Sequence, residues 1–511
     1  MAIIDPVEMA YLDWLVQQLQ ADEKSILEAR NYYNGVQEDF MSARVRQFLG
    51  VHEDNPFSLN VCETVVTAVA NVLNVTGFDT NEKPNQDGMK AQADWARQVW
   101  DANKMDSLQD VVHEFALADR ETFVIVDWDP ETKMPSLVHN QRFIDVGAGG
   151  DGMGVWMVYE NDDIYQRPLY AVKQWVETQW SAGGMPHTTT RRTVYYADRI
   201  ERFVYDAGWK PFESENAPAI QLQVDKAEQP LGIPVIHFKN KGYRAEHWKA
   251  IPMQDAINKT LVDILGANDL TAFKSFFALG FMPTTDGKAP AADGSNALTI
   301  GPGVINGAAN VKAGEAALQE IEGADMTPLM NSLKDLVTLT AQITDTPVSR
   351  FIVTAQIASA DTIKSQTEAL EKKAEDRRGL FGDAWSQVMG MARKYANVYG
   401  GAGLNEEIEF KTTWRHDRTL EELEKKRTAL EIPREQIWVE ASYTPEQIAT
   451  MKAMVEYRIA LEKILWEGAQ AASLQGIPLE LYLQRAGVPE KEITAIQEAI
   501  ANQSGVPATD L

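Results

Sequence analysis

Chemistry in this chain would have to be assembled from scattered parts. Seven histidines stand at positions 52, 113, 139, 187, 237, 247 and 416. No HExxH or HxH pattern joins two of them, so metal-ligand spacing has no local support. His113, on its predicted helix, reads as a surface residue or a hydrogen-bonded core residue. One glycine cluster, Gly147-Ala148-Gly149-Gly150-Asp151-Gly152, fits GxGxxG. That fingerprint works only between a strand and a helix whose N-terminus holds a pyrophosphate. Here Val155-Trp156-Met157-Val158-Tyr159 follows, a strand pattern, so the cluster reads as a turn between strands. No GxxxxGK[ST] loop or GxSxG elbow occurs, which leaves an ATPase motor without support. The adjacent acids Asp162-Asp163 and Glu406-Glu407 read as solvated turns. The sequence gives no reason to expect an enzyme, a cofactor or a metal.

Composition narrows the class. At about 150 residues per domain, 511 residues hold three or four domain-sized units. A hydrophobic content of 44% and a charged content of 24% predict a globular chain with a sizeable core. The formal net charge of −26 gives no general attraction for DNA or for an anionic membrane surface. It suits either a soluble acidic protein or one that surrounds a nucleic acid without gripping it. Cys62 is the single cysteine, so an intrachain disulfide and a CxxC motif are both excluded. Its setting, Val61-Cys62-Glu63-Thr64 on a predicted helix, makes it a small packed hydrophobe. The N-terminus lacks the pattern of a signal peptide, and no apolar run approaches the ~18 residues of a membrane span. A protein made and working without crossing a membrane is expected.

The elements that would position any site follow from periodicity. Glu8 to Ala29 carries Leu12, Leu15, Leu19, Ile26 and Leu27 on a broken helical stripe. Asn60 precedes an amphipathic helix with Val61, Val65, Val69, Val72 and Leu73, and Glu63 completes a capping-box pattern. Gly77 ends that pattern. A third helical stretch runs from Gln86 to Ala118 with a break near Asn103. Runs at 122–126, 155–159, 169–176, 193–196 and 201–205 predict an antiparallel sheet region. After Leu231 to Phe238 and a polar turn, a helix is predicted from Trp248 to Phe273, with Ile257, Leu261, Ile264 and Leu265 on its apolar face. Residues 280–325, rich in Gly, Pro and Ala, form a small irregular module with strand candidates at 298–300 and 303–305. A return helix, Thr327 to Ala341, carries Leu329, Leu333, Leu336, Val337 and Leu339. From Arg418 the chain reads as helical, with a strong start at Thr444-Pro445-Glu446-Gln447 and breaks at Gly476, Pro478, Gly487 and Pro489.

Between the return helix and the C-terminal part lies the most informative stretch. Ile343-Thr344-Asp345-Thr346-Pro347 leads into a loop, 348–360, that contains neither Pro nor Gly. A long helix then opens near Asp361. Its charges pair at helical spacing, Asp361 with Lys364, Glu368 with Lys372 and Glu375 with Arg378, each exposed pair worth about 0.2–0.5 kcal/mol. Leu380, Phe381, Trp385, Val388 and Met389 follow as apolar anchors of one buried face. A charged rod with an apolar end predicts an element projecting from a core.

This order of elements, with several short motifs, resembles the portal proteins of tailed bacteriophages, particularly the siphophage-like group. Arg30-Asn31-Tyr32-Tyr33-Asn34-Gly35 is similar to that family's Y-x-G segment, and Asn60 with its Val-rich helix to the next landmark. Gly232 to Phe238, followed by Asn240, resembles the approach to the family's stem, and Gln254-Asp255-Ala256-Ile257-Asn258-Lys259 its first stem helix. Ser359 to Lys364, continuing to Phe381 and Trp385, resembles the tunnel helix. Ile432 to Trp438 and Tyr443 to Ile448 resemble a late helical segment. Ala245-Glu246 stands where a Ser-acid pair is common, and Ala360 and Thr362 where Gly and Ala are usual. The similarity covers roughly residues 25–455.

The resemblance implies an α+β portal-type fold. A wing (1–248) would combine the helical N-terminus with the β-rich region. Stem helices (249–273 and 327–345) would flank a small α/β clip (274–326). A tunnel loop (346–360), a tunnel helix with its return to the wing (361–417) and a helical crown (418–511) would complete the chain. Subunits would form a ring, typically a dodecamer, at one capsid vertex of the virion, assembled in the host bacterial cytoplasm. Double-stranded DNA would pass through its channel during packaging and ejection. The implied partners are the terminase large subunit, the major capsid and scaffolding proteins and a head-completion connector, with no membrane. Arg350, Gln356 and Lys364 are the DNA-channel candidates, in positional rather than catalytic roles. The alternative class is an acidic nucleic-acid-processing enzyme without a recognisable motif.

Overall fold

The computed structural model describes residues 6–37, 40–41, 46, 58–83, 90–144, 153–180, 186–213, 218–272, 275–279, 317–321, 325–351, 360–415, 448 and 452. Helix α1, Pro6–Tyr33, ends where its sequence supplies a left-handed residue: Gly35 has φ 77°. The Val36 N–H returns to Asn31 O at 2.8 Å and the Gly35 N–H to Tyr32 O at 3.4 Å, closing the helix as a Schellman motif. Helix α2, Val61–Ala70, is capped by Asn60, whose side chain accepts the Glu63 N–H at 3.3 Å. The Glu63 carboxylate faces Asn60 Nδ2 instead of the cap's backbone N–H, so only half of the capping box forms.

α2 stops at Ala70, short of the predicted end at Gly77. The carbonyls of Val72 and Leu73 turn to side chains from elsewhere: Arg378 Nη2 donates to Val72 O at 2.8 Å and His113 Nδ1 lies 3.1 Å from Leu73 O. Gly77 sits in strand β1, Val75–Thr80, at a register shift in its ladder. Helices α3, Ala91–Ala102, and α4, Met105–Ala118, bear out the predicted break at Asn103.

Every predicted strand of the middle region is present. Strands β2, Glu121–Asp129, and β3, Met134–Gln141, pair antiparallel. β4, Gly154–Tyr159, β5, Pro168–Trp180, β6, Pro186–Tyr195, β7, Arg199–Tyr205, and β8, Trp209–Pro211, form an antiparallel meander, and β9, Ile220–Leu222, pairs with β7. β10, Val235–Lys239, joins β2 antiparallel, giving the order β10-β2-β3. Gly154 has φ 138°, and a Cβ there would stand 2.3 Å from Arg142 O, so only glycine fits. The GxGxxG run itself lies outside the described residues, but its sequel is β4, a strand and not a helix.

Helices α5, Ile251–Ala272, and α6, Thr327–Ile343, pack together, with Ile257 near the start of α5 against Val337 near the end of α6. That register makes the pair antiparallel. Between them β11, Ser275–Leu279, and β12, Ala317–Ile321, form an antiparallel pair, and the strand candidates at 298–300 and 303–305 lie outside the described residues. Helix α7, Ala360–Tyr399, is followed by β13, Phe410–Trp414, which pairs with β1. The chain divides into two compact units, Met1–Arg415 and His416–Leu511. Of the second, Ile448 and Lys452, both helical, are described, and the predicted helix start at Thr444 and the breaks beyond it lie outside the described residues. Among the described residues no helix is long and apolar enough to cross a membrane.

The core has layers because strand side chains alternate. Val124, Val126, Ile236 and Phe238 of the three-stranded sheet face the helices, packing with α2, α3, α4 and α7. Phe123, Ile125 and Val235, from the opposite face, meet Val155 and Ala171 of the six-stranded sheet. Trp156, Val158, Tyr170, Val172, Val194 and Phe203 form a further cluster on that sheet's other face. At the centre of the helical layer Trp385 meets Phe238 and Trp100 edge-on, with ring centroids 4.8 and 4.9 Å apart.

The apolar end of α7 is anchored as expected: from Leu370 to Tyr395 its stripe 370/374/381/385/388/392/395 lies in the largest core cluster among the described residues. Three expectations are corrected here. Leu380 is 42% exposed, one residue off that stripe and so turned about 100° away from it. Leu339, placed by its spacing on the apolar face of α6, is 47% exposed. Of the predicted pairs along α7, Glu375–Arg378 forms at 3.2 Å, Glu368 and Lys372 form none among the described residues, and Asp361–Lys364 lies outside what is described. Cys62 is buried as expected, and burial, with the Asp255 charge adding, pushes its thiol up to about 12.

His113 is a satisfied core histidine. Trp385 Nε1–H donates to its Nε2 at 2.9 Å, so the ring is neutral with its proton on Nδ1, toward Leu73 O. Burial pushes its pKa down to about 3, the Leu73 bond opposing. The unfolded ring titrates near 6.5, so its stabilising contribution is complete above that pH and is lost as pH falls toward 3. Between pH 6 and 4 the unfolding free energy of the wild type should therefore fall by about 1.4 kcal/mol per pH unit more than that of His113→Gln. Urea titrations of both proteins across this range measure the difference; parallel curves would refute it.

Candidate functional site

The loop predicted at 346–360 departs from a precisely built post. α6 ends in a second Schellman motif: the Thr346 N–H bonds Ala341 O at 3.0 Å and the Asp345 N–H bonds Gln342 O at 3.3 Å, with Asp345 in the left-handed region at φ 50°. Pro347 then prevents the helix from resuming. A short 3₁₀ turn, Val348–Arg350, leads to Phe351. The Phe351 ring is wedged between two clusters, one of Val61, Ile257 and Val337, the other of Cys62, Val65 and Ala250. The loop's departure point is thus held by α2, α5 and α6 together.

A largely buried polar network holds α2 and α5 in register with the end of α1. Gln254 Oε1 accepts the Val61 N–H at 2.8 Å, and Asn258 Oδ1 accepts the Leu59 N–H at 3.0 Å. Asn258 Nδ2 donates to Gln37 Oε1 at 2.7 Å, and Gln37 Nε2 donates to Tyr32 O and Asn60 Oδ1. Tyr32 OH donates to Asp255 Oδ1 at 2.7 Å. The short motifs near 30–35, 60 and 254–259, distant in sequence, therefore meet at one junction. Their polar side chains supply partners for backbone groups that burial would otherwise leave unpaired.

One carboxylate ties this junction to α7. Glu246, in the turn before α5, is buried and receives a bidentate pair of bonds from Arg377 (Nε to Oε2 3.1 Å, Nη2 to Oε1 3.0 Å). Lys373, one turn earlier on α7, lies 2.8 Å from Glu246 Oε1, and Asn240 Nδ2 donates to Oε2 at 3.1 Å. Burial alone would raise the Glu246 pKa; Lys373 and Arg377 outweigh it and hold the carboxyl below its ordinary value. Lys373 Nζ also donates to Thr344 O at 2.7 Å, satisfying a carbonyl at the C-terminal end of α6. A single ammonium thus links the end of α6, the turn before α5 and α7. Lys241 reinforces the same seam through Asp376.

Of the predicted channel residues, Arg350 is exposed beside the Phe351 anchor. Gln356 lies outside the described residues. Lys364 falls within the first two turns of α7. The structure brings Arg350 to the loop's root. Sequence reasoning missed the clamp of Glu246, Lys373 and Arg377. The signal was available: like charges at i,i+4, with Arg377 aligned between Ala374 and Phe381 on the apolar stripe, require a buried acid.

A second ionic cluster invites a catalytic reading. Glu121 Oε2 lies 2.8 Å from His237 Nε2, Tyr243 OH donates to Glu121 Oε1 at 2.8 Å, Arg142 Nε lies 3.2 Å from it, and Tyr159 OH is 2.6 Å from His237 Nδ1. Burial would raise the Glu121 carboxyl, but His237, Arg142 and Arg120 hold it down to about 2. Glu121 and His237 are both closed off from solvent, so this is a cross-link of β2, β10 and the turn after β10. Among the described residues no group of three His, Cys, Asp or Glu could hold a metal.

Removing the acid of the clamp strands two buried cations. Glu246→Gln should destabilise the protein by about 3–5 kcal/mol. Lys373→Met, which removes one donor and leaves the bidentate pair, should cost about 1–3 kcal/mol. Urea unfolding of the two variants and their combination tests this, the double variant falling short of the sum. A Glu246→Gln cost under ~1 kcal/mol would show that the carboxylate does not organise the seam.

Comparison with known proteins places these features. Residues 12–456 match the family model described as phage portal protein, SPP1 Gp6-like. The portal protein of Mycobacterium phage D29 is 29% identical over 107 residues, covering 20% of this chain and 21% of that protein. The portal protein of Mycobacterium phage L5 is 26% identical over 157 residues, 29% of this chain and 32% of its own length. The aligned segments therefore span about a fifth and about a third of these curated relatives. A crystal structure of a HK97 family phage portal protein from Corynebacterium diphtheriae aligns over 68% of this chain and 91% of its own, at 10% identity and a TM-score of 0.26. The family model spans most of the chain and takes in every motif of the junction, and on that ground the chain belongs to the SPP1 Gp6-like family of phage portal proteins.

Proposed function

We propose that this chain is the subunit of a homo-oligomeric ring at one vertex of a phage capsid, through which double-stranded DNA passes during packaging and ejection. The observation that carries the reading is the family match over residues 12–456. In this reading residues 1–248 form the wing, 249–273 and 327–345 the stem, 274–326 the clip and 346–360 the tunnel loop. Residues 361–417 are the tunnel helix and its return, and 418–511 the crown. A dodecamer is the expected ring, with the terminase large subunit, the capsid and scaffolding proteins and a head-completion connector as partners. Assembly takes place in the host cytoplasm, and the ring's role is structural rather than enzymatic.

The physical features support a conduit. A net charge of −26 keeps a passing polyanion from adhering, and sequence-independent contacts with phosphates need only a few cations. The antiparallel pair α5/α6, joined through β11 and β12, carries the chain out from the junction and back. Its outer surface is incomplete as it stands. Leu339 and Ile343 are exposed one turn apart on α6, with Leu380 exposed on α7, and a neighbouring subunit would cover them.

Negative-stain electron microscopy with mass measurement should show rings of about a dozen subunits with a central hole. Leu339→Asp combined with Ile343→Asp should leave a folded subunit that no longer forms rings. Intrinsic metal-dependent nuclease activity in the purified protein would instead favour a nucleic-acid-processing enzyme. Arg350→Ala and Lys364→Ala should both leave ring formation intact and lower the yield of DNA-filled particles in a packaging assay. Wild-type yields from both would remove these two residues from the channel.

A further inference from the structure

The turn between β10 and α5 reverses the sign of the chain's charge. Lys239, Lys241, Arg244 and Lys249 fall within eleven residues, and the one acid among them, Glu246, is buried and neutralised by α7. Lys239 is engaged with Ile164 O, and Lys241 with Asp376. Arg244 and Lys249 remain exposed, and among the described residues neither has a carboxylate within ion-pair distance. Between them Trp248 is 43% exposed, its ring centroid 4.6 Å from Arg244 Cζ and 5.9 Å from Lys249 Nζ.

We propose that Arg244, Trp248 and Lys249 form a contact surface for the phosphate backbone of double-stranded DNA, separate from the loop at 346–360. The proposal rests on the portal reading for the identity of the polyanion. An Arg stacked on an indole keeps the edge of its guanidinium free, and that edge matches two phosphate oxygens. The mounting is rigid. Ala245, Glu246, His247 and Ala250 are buried, His247 Nε2 lies 2.8 Å from Ala29 O, and the Glu246 clamp fixes the turn on α7. Cations held in place lose little freedom on binding, which favours contact without sequence readout.

An acidic surface on a second copy is the competing occupant. The exposed acids of α7, Glu375, Asp376 and Asp383, are joined to this turn on the same protomer by Lys241–Asp376. A head-to-tail ring interface brings different faces together, so an acidic strip adjoining the patch is poorly placed to be its complement. Duplex DNA meets no such restriction.

The test is fluorescence anisotropy of the full-length protein with a labelled blunt duplex of random sequence, across a salt series. Each phosphate contact contributes about 0.9 to the slope of log K against log salt, so Arg244→Gln with Lys249→Gln should lower the slope by about 1.8 per bound protomer. Trp248→Ala should weaken binding several-fold while leaving the slope as in the wild type. Lys210→Gln with Lys259→Gln, exposed lysines already paired with Asp206 and Asp263, controls for net charge and should change neither. Equal slopes for the wild type and the Arg244/Lys249 variant overturn the proposal, as does an equal drop in the control. Loss of rings in that variant, with no duplex binding by the wild type, would also overturn it by making the patch a contact between copies. Ring formation by the wild type, read separately by mass, tests the portal reading alone.

Discussion

A negative charge removed from water must be matched, and the architecture around the loop follows from how Glu246 is matched. Both of its cations come from α7, one turn apart, so the carboxylate fixes the rotation of that helix about its own axis as well as its distance. With the rotation set, Phe381 and Trp385 must face the three-stranded sheet, and Arg378 must reach the carbonyl of Val72. Bidentate geometry matters, because a point charge would tolerate a roll of the helix that a planar guanidinium on a carboxylate does not.

The same logic governs the other end of the junction. α2 could have run on through Val72 and Leu73, whose spacing suits it, yet it yields to the strand that follows. The freed carbonyls are taken by a histidine of α4 and an arginine of α7. Termination is therefore a tertiary event, written in residues far from the helix end. The end of α6 is local by contrast: Asp345 adopts the left-handed conformation, Pro347 follows, and Lys373 adds the distant partner. Two helix ends close by different means, and both depend on α7.

Sequence reading recovered the strands at 122–126, 155–159, 169–176, 193–196 and 201–205 because β-branched and aromatic residues run together there between turn residues, and it recovered the break at Asn103 because the helical pattern stops there. It placed Asn60 as a cap for the same local reason. It failed where a residue's role is decided by a partner far along the chain. Leu339 and Leu380 fit apolar stripes by count but face outward, since a stripe's width is set by what packs on it. The charges of α7 looked like a solvated rod because i,i+4 spacing is visible in sequence, whereas the acid beneath Lys373 and Arg377 lies more than a hundred residues upstream. The resemblance to portal proteins came through because it rests on the order of many short motifs, and order survives when individual residues change.

Cys62 has a practical consequence. Its thiol is closed off in α2, in the cluster that also receives Phe351, and its ionisation is pushed far above neutral pH. A thiol-specific reagent added to the native protein can react only when that cluster opens. The modification rate then becomes a clock for how often the root of the loop leaves its seat, read from the one sulfhydryl in the sequence without any engineered label.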